Sequence, residues 1–346
     1  MSKKIIENER RRQQMIKKRK LKRQKLIVRY CILAGGILIA FCSIKSIGHV
    51  IGKKNGAKNR EQLGQESIVA SVNLEKNETI SYTIGENQVV ATQESLTEGQ
   101  LILVNDANPI RIYSDEEMVC IGDYLKGICQ MKSTDIKLRK ETAEALAQML
   151  NDFNEVVGKH DLTIISGYRD FVTQEALHYE SLQEGEKNEK FVARPDRSEH
   201  HTGLAVDFGL CYDNGLSGEY DGTGIYSWLN ENCYKYGFIV RYDECKKDIT
   251  GISHEPWHFR YVGMGHAQII QELGLCLEEY IEFLKGYEYY TNPGHGITES
   301  TKGYSIYYVQ SEGQMTNIPV PESKDYIISG NNKDGFIVTV QLNDKE

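Results

Sequence analysis

Apolar and polar positions alternate along this chain in four different ways. From Leu26 to Ile44 the run LIVRYCILAGGILIAFCSI is apolar throughout, and Arg29 is its one charge. As a helix it would be about 28 Å long, enough to cross a hydrocarbon core. Residues 46 to about 100 are rich in Gly, Lys, Glu, Asn and Gln, with short strand-like runs at Ile80 to Ile84 and Gln88 to Ala91. That pattern predicts a spacer with a small β element near its end. From Leu101 to about Lys285 helical and strand periods are mixed, as in an α+β domain. Leu146, Met149, Leu150, Phe153 and Val157 share one face of a predicted helix that Gly158 can end. Ile269, Ile270, Leu273, Leu277, Tyr280, Ile281 and Leu284 line a long late helix. Between them lie β-rich runs at Leu162 to Ser166, Leu204 to Leu210, Gly237 to Arg241 and Trp257 to Val262. After Lys285 come strand-like runs at Tyr304 to Val309 and Tyr326 to Ser329, then a turn at Asn331 to Gly335 and Phe336 to Leu342, a predicted hairpin. Tyr287, Tyr289, Tyr290, Tyr304, Tyr307 and Tyr308 could stack on sugars, but amphipathic strand faces account for them more simply.

Charge turns this pattern into a topology. The chain has 346 residues, 40% apolar and 26% charged, which excludes a disordered, collagen-like or polytopic membrane protein. Its net charge of −8 is unevenly spread: residues 1 to 25 carry twelve basic and two acidic residues, a local +10 that leaves −18 for the rest. An excess of Lys and Arg before the apolar run predicts a cytoplasmic N-terminus, one transmembrane helix at 26–44 and an extracellular bulk at the cell membrane. Arg29 can reach back toward the basic side. A cleaved signal is the rival, but the apolar core is long for one and no small-x-small site follows. A lipoprotein anchor at Cys42 is disfavoured by the bulky Phe41 before it. The acidic bulk argues against nucleic-acid binding. Six of the eight cysteines (Cys120, Cys129, Cys211, Cys233, Cys245, Cys276) lie outside the apolar run, enough for up to three disulfides in an exported domain, though six thiols are also compatible. The predicted plan is a basic segment 1–25, an anchor 26–44, a spacer 45–100, an α+β domain 101–285 and a β-rich extension 286–346.

The densest cluster of ionisable residues in apolar surroundings is Ser198-Glu199-His200-His201-Thr202-Gly203-Leu204-Ala205-Val206-Asp207, with Glu255-Pro256-Trp257-His258 further on. His254 to His258 matches the HExxH string, but that motif needs a helix to bring two histidines to one face. Pro256 is interior and the residues after it read as a strand, so His254 is not expected to be a ligand. A catalytic zinc takes three protein ligands and keeps one position open. His200, Asp207 and His258 supply such a set, and Glu255 stands where a general base could face the open position. Extended, His200 and Asp207 would lie about 23 Å apart, so the chain must fold back, and Thr202-Gly203 offers the bend. Arg169, after an apolar strand in Ile165-Ser166-Gly167-Tyr168-Arg169, suits a carboxylate or a developing oxyanion.

At these residues the sequence resembles the VanY-type D-alanyl-D-alanine carboxypeptidases, zinc peptidases that share a fold with the hedgehog signalling domain. The resemblance spans about Leu101 to Lys285. It is carried by Leu103-Val104-Asn105 with Asn108-Pro109, Ser166-Gly167-Tyr168-Arg169 with Gln174, Ser198-Glu199-His200 through Gly203-Leu204-Ala205-Val206-Asp207, and Glu255-Pro256-Trp257-His258-Phe259-Arg260-Tyr261-Val262-Gly263. It implies an antiparallel sheet with flanking helices, one zinc ion on His200, Asp207 and His258, Glu255 as base, Arg169 as transition-state stabiliser, and Ser198 and Gln174 near substrate. The implied reaction removes the terminal D-Ala from peptidoglycan stem pentapeptides, free or lipid-linked. Shorter stems limit cross-linking and, where mixed precursors are made, remove the target of vancomycin-type glycopeptides. An endopeptidase of the same fold and a zinc-stabilised wall-binding module are the alternatives. Two positions depart from the family pattern: Asp196, where Gly is frequent, and Asp170, where Ser is frequent. His201 falls at a variable position and is expected to be exposed.

Overall fold

The computed structural model describes residues 87–110, 115–158, 161–184, 192–212, 215–291, 303–322 and 325–342. The basic segment, the apolar run 26–44, Cys31, Cys42 and most of the spacer, Ile80 to Ile84 included, lie outside them. Among the described residues no helix is long and apolar enough to cross a membrane.

The strands are β1 (Asn87–Thr92), β2 (Val119–Cys120), β3 (Gln130–Met131), β4 (Lys137–Leu138), β5 (Leu162–Ser166), β6 (Ala205–Cys211), β7 (Ser217–Glu219), β8 (Phe238–Tyr242), β9 (Glu255–Tyr261), β10 (Tyr304–Gln310), β11 (Met315–Val320), β12 (Tyr326–Gly330) and β13 (Gly335–Gln341). The helices are α1 (Gly122–Leu125), α2 (Lys140–Val157), α3 (Phe171–Glu184), α4 (Ser227–Asn232), α5 (Lys247–Thr250), α6 (Met264–Leu273) and α7 (Leu277–Leu284). A central sheet runs β3-β5-β6-β9-β8, with β7 added to β6. Only β3 and β5 are parallel in it.

The apolar face of α2 packs as expected: Leu146, Met149, Leu150 and Phe153 are buried against Ile164, Val206, Phe208 and Phe259 of the central sheet. Gly158 ends the helix. The late helix differs from expectation. It is two helices, because Gly274 takes φ +67° at the end of α6 and Cys276 then restarts the chain as the N-cap of α7, its N–H donating to Glu279 Oε2 at 2.9 Å. The apolar period carries across the break because both helices cover one core with Leu101, Leu103, Ile306, Tyr308 and Ile337.

The C-terminal strands form a three-stranded sheet β10-β13-β12 with the expected hairpin at Asn331–Gly335. Tyr307 and Tyr308 are consecutive and both buried, because both faces of this sheet are covered. Tyr308 faces the core under α6 and α7, while Tyr307, Val309, Phe336, Val338 and Val340 face a third core with Ala91, Ile318 and Val320. That third core is closed by β1 pairing antiparallel with β11 (Asn87 opposite Val320). Residues read as the end of the spacer therefore fold with the end of the chain. The six cysteines outside the apolar run are all free thiols, with Cys233 and Cys276 buried in cores, so no disulfide forms among the described residues.

Candidate metal centre

Two of the three expected ligands come from one cross-strand pair: Asp207 of β6 lies directly opposite His258 of β9, so both side chains leave the same face of the sheet. The third comes from a single 3₁₀ turn, Glu199–Thr202, that ends just before β6. Ser198 caps that turn, its Oγ accepting from the His200 N–H at 3.4 Å. The turn reverses at Gly203, where φ is +68° and a Cβ would come within 2.4 Å of Met118 Sδ. This is the bend expected at Thr202-Gly203, and it brings His200 Nε2 to 3.0 Å from Asp207 Oδ2.

His200, Asp207 and His258 are buried, and their ligand atoms lie within 4.8 Å of one another. Each imidazole turns one nitrogen to Asp207 and the other to a group outside the cluster. His200 Nδ1 sits 2.6 Å from the Gly167 carbonyl, which can only accept, so Nε2 keeps the lone pair. His258 Nδ1 lies 2.8 Å from Asp207 Oδ1, and its Nε2 lies 3.3 Å from Glu199 Oε2. Burial lowers the His200 imidazole, partly opposed by Asp207. At His258 burial also favours the neutral ring, but the carboxylates of Asp207 and Glu199 outweigh it and push the imidazole up to about 10. Burial opposes ionisation of Asp207, yet His200 and His258 hold it well below the usual carboxylate range. An anionic oxygen between two rings, one of them holding a proton on the cluster side, is a set that a divalent cation can enter by displacing that proton. Two imidazoles, one carboxylate and an open cavity on the fourth side fit zinc.

That cavity has a volume of about 230 Å³ and is also lined by Arg169, Gln174, Ser198, Tyr242, Glu255 and Trp257. Glu255 opens β9 and is 5% exposed. Burial, with Asp207 and Glu199 adding to it, raises its carboxyl to about 8 against the opposing pull of His258 and Arg169. Arg169 Nη2 lies 3.9 Å from Asp207 Oδ2 and donates to Ser166 Oγ at 2.8 Å. Gln174 lines the cavity, but both ends of its amide are used: Oε1 accepts from Arg169 Nη1 at 2.7 Å and Nε2 donates to the Ala193 carbonyl at 2.6 Å. His254 is exposed just before β9, its Nδ1 on the Tyr242 carbonyl, and the residues from Glu255 on are a strand, so HExxH forms no helical pair here.

His201 is fully buried rather than exposed. Its Nδ1 lies 2.6 Å from the Arg169 carbonyl while the Arg169 N–H donates to the His200 carbonyl, which clamps the arginine to the ligand turn. Asp196 adopts φ +64°, a left-handed conformation that explains why glycine is frequent at that place in the family pattern. The sequence reading missed Glu199, Arg241 and Arg260, all buried behind His258, and the half-buried Tyr242, whose ring lies 5.1 Å from that of His258. The available signal was an arginine inside each of two apolar strands, FIVRY and EPWHFRY, where an unpaired charge would be untenable.

A mixed α+β domain with this buried cluster has the architecture of the D,D-peptidases. A solved structure of the vancomycin-resistance D,D-dipeptidase VanXYg, in complex with a D-Ala-D-Ala phosphinate analogue, superposes with a TM-score of 0.65 at 34% identity, covering 74% of this chain and 98% of that one. The family model VanY, described as D-alanyl-D-alanine carboxypeptidase, matches residues 135–264. A D-alanyl-D-alanine carboxypeptidase of Enterococcus faecium is 36% identical over 252 residues, 72% of this chain and 77% of that protein. The bifunctional D-Ala-D-Ala dipeptidase and carboxypeptidase VanXYC of Enterococcus gallinarum is 41% identical over 189 residues, 53% of this chain and 94% of that protein. The chain belongs to the VanY-type D-alanyl-D-alanine carboxypeptidase family.

Proposed function

We propose that this protein is a zinc D,D-carboxypeptidase that removes the terminal D-alanine from peptidoglycan stem pentapeptides, free or lipid-linked. The observation that carries the reading is the convergence of His200, Asp207 and His258 on the cavity that also holds Glu255 and Arg169. Bound there, zinc supplies a Lewis acid and makes water a nucleophile near neutral pH. The remaining steps fall to side chains. Glu255, once ionised, takes a proton from the attacking water as the oxygen bonds to the carbonyl carbon. It returns that proton to the nitrogen of the departing D-alanine as the C–N bond breaks. Arg169, held by Ser166 and Gln174, presents a fixed guanidinium to the oxyanion that develops. Ser198 and Tyr242 border the space left for the substrate.

The apolar run 26–44 after a block of twelve basic residues supports a single-pass anchor with the catalytic residues outside the cell membrane. In that arrangement the tether, rather than the acidic surface, keeps the enzyme beside the wall. The test is to incubate the full chain, in detergent with zinc, with a muramyl pentapeptide and follow the products by mass spectrometry. Release of one alanine supports the reading. A larger fragment would mean an endopeptidase, and no cleavage with retained binding would mean a wall-binding module.

A further inference from the structure

Behind His258 lies a network of buried charges that the reaction does not use. Glu199 is fully buried, and its two oxygens have separate partners. Oε1 accepts from Arg241 Nε at 2.8 Å and from Arg260 Nη1 at 2.7 Å. Oε2 faces His258 Nε2 at 3.3 Å. Both guanidinium groups are themselves fixed. Arg260 Nη2 donates to the carbonyls of Gln100 and Ile102 at 3.0 and 2.9 Å, and Arg241 forks onto Glu278 of α7 at 2.8 and 2.7 Å.

We infer that Glu199 is a positioning residue for His258: its Oε2 holds the ring hydrogen on Nε2 and so leaves Nδ1 as the metal-facing nitrogen. The inference rests on the metal reading above. A neutral imidazole carries one hydrogen, and the nitrogen that keeps it is set by the partner on the far side of the ring. At His200 a backbone carbonyl plays that part and leaves Nε2 forward. At His258 the ring is turned the other way, with Nδ1 forward, and the acceptor behind it is the side chain of Glu199. Ion pairing alone would need only Oε1, since the two arginines are already matched by Glu199 and Glu278. The second oxygen is left for the ring.

Glu199→Gln tests this with little change of volume. Its amide oxygen, kept by the two arginines, would turn an NH₂ donor toward Nε2 and favour the wrong tautomer. In the full chain, zinc affinity measured by competition with a chromophoric chelator should fall about 10–100-fold, and the visible spectrum of the Co(II)-substituted protein should change. Glu278→Gln breaks the same network without touching His258, so it should lower the melting temperature and leave zinc affinity within about twofold. Unchanged zinc affinity in folded Glu199→Gln overturns the inference, and so does an equal loss in both variants. If Glu199→Gln does not fold, long-range ¹H–¹⁵N correlation on the zinc-loaded parent decides: a ring proton on Nε2 of His258, assigned by its absence in His258→Gln, supports the inference, and one on Nδ1 overturns it. A parent chain that binds no zinc would overturn the metal reading and this inference with it, whereas normal binding by parent and Glu199→Gln alike overturns this inference alone.

Discussion

The central sheet and the C-terminal sheet use the same backbone for opposite ends. In the C-terminal sheet successive side chains go alternately to two dry cores, so β10 buries Ile306 and Tyr308 on one side and Tyr307 and Val309 on the other. In the central sheet one face is equally apolar, with Val206, Phe208 and Phe259 under α2, but the other buries Asp207, His258, Arg260 and Arg241. Those charges are tolerated because each is matched: Arg241 and Arg260 by Glu199 and Glu278, Asp207 by two histidines. A buried pair of this kind contributes little net stability, and losing one partner is expensive. Chemistry thus falls to one sheet and stability to the other, a division that variants moving the wrong property would break.

The largest effect is expected at Glu255. Glu255→Gln keeps the shape and removes the base, so kcat/KM for D-alanine release should fall about 10³–10⁴-fold while the zinc content is kept. Retention of most of the activity would end the role given to this carboxylate.

Next in size is Phe336→Ala in β13. The ring is 1% exposed in the third core, and its removal should cost about 3–5 kcal/mol of stability, read as a lower denaturation midpoint. Below the transition, kcat/KM should match the parent. A fall in kcat/KM at a temperature where the variant is fully folded would show that the C-terminal sheet also shapes the reaction site.

The same Glu255→Gln variant reads the central sheet's stored cost. In the folded metal-free protein the carboxyl sits at about 8 against 4.5 when unfolded, so between these values the folded state binds more protons. The raised pKa therefore costs nothing below about pH 4.5, costs progressively more through the window, and costs the full amount, at most a few kcal/mol, above pH 8. With zinc chelated, the melting temperature of Glu255→Gln minus that of the parent should be near zero at pH 4.5 and positive at pH 8.5. A difference that is flat across the window would mean the carboxyl is not strained by burial.

How far these two sheets could be read in advance follows from what each one is made of. The strands β5, β6, β8 and β9 and the clustering of His200, Asp207 and His258 were legible because buried strands read as short apolar runs and residues of metal-binding type stand out in and beside them. The fold-back at Gly203 was legible because two candidate ligands seven residues apart cannot otherwise meet. Glu199 was not, because a carboxylate next to a histidine looks solvated until two arginines from distant strands arrive to bury it. His201 was misread for a related reason: its partner, the Arg169 carbonyl, is a backbone atom that leaves no trace in composition. Beside the C-terminal sheet, β11 went unseen, since MTNIPV carries a proline and its role depends on pairing with β1, more than 200 residues earlier in the chain. The break at Gly274 was hidden by an apolar period that both helices share.

The smallest expected effect lies in the loop before the Glu199–Thr202 turn, at Asp196. Its φ of +64° suits glycine, and aspartate is among the few other residues that tolerate it. The carboxylate lies 3.0 Å from Arg197 Nε in a half-exposed pair worth little. Meanwhile the Asp196 carbonyl accepts from the Ile110 N–H at 2.8 Å, so the loop is tied down whatever the side chain. Asp196→Gly should therefore shift stability by no more than about 0.5 kcal/mol, because relief of the left-handed conformation and the added freedom of the unfolded chain oppose each other. Asp196→Val places a β-branched residue in the same conformation and should cost about 1–2 kcal/mol. Equal denaturation midpoints for the two variants would mean that the left-handed turn is not kept in solution, and the family's frequent glycine would then need another explanation.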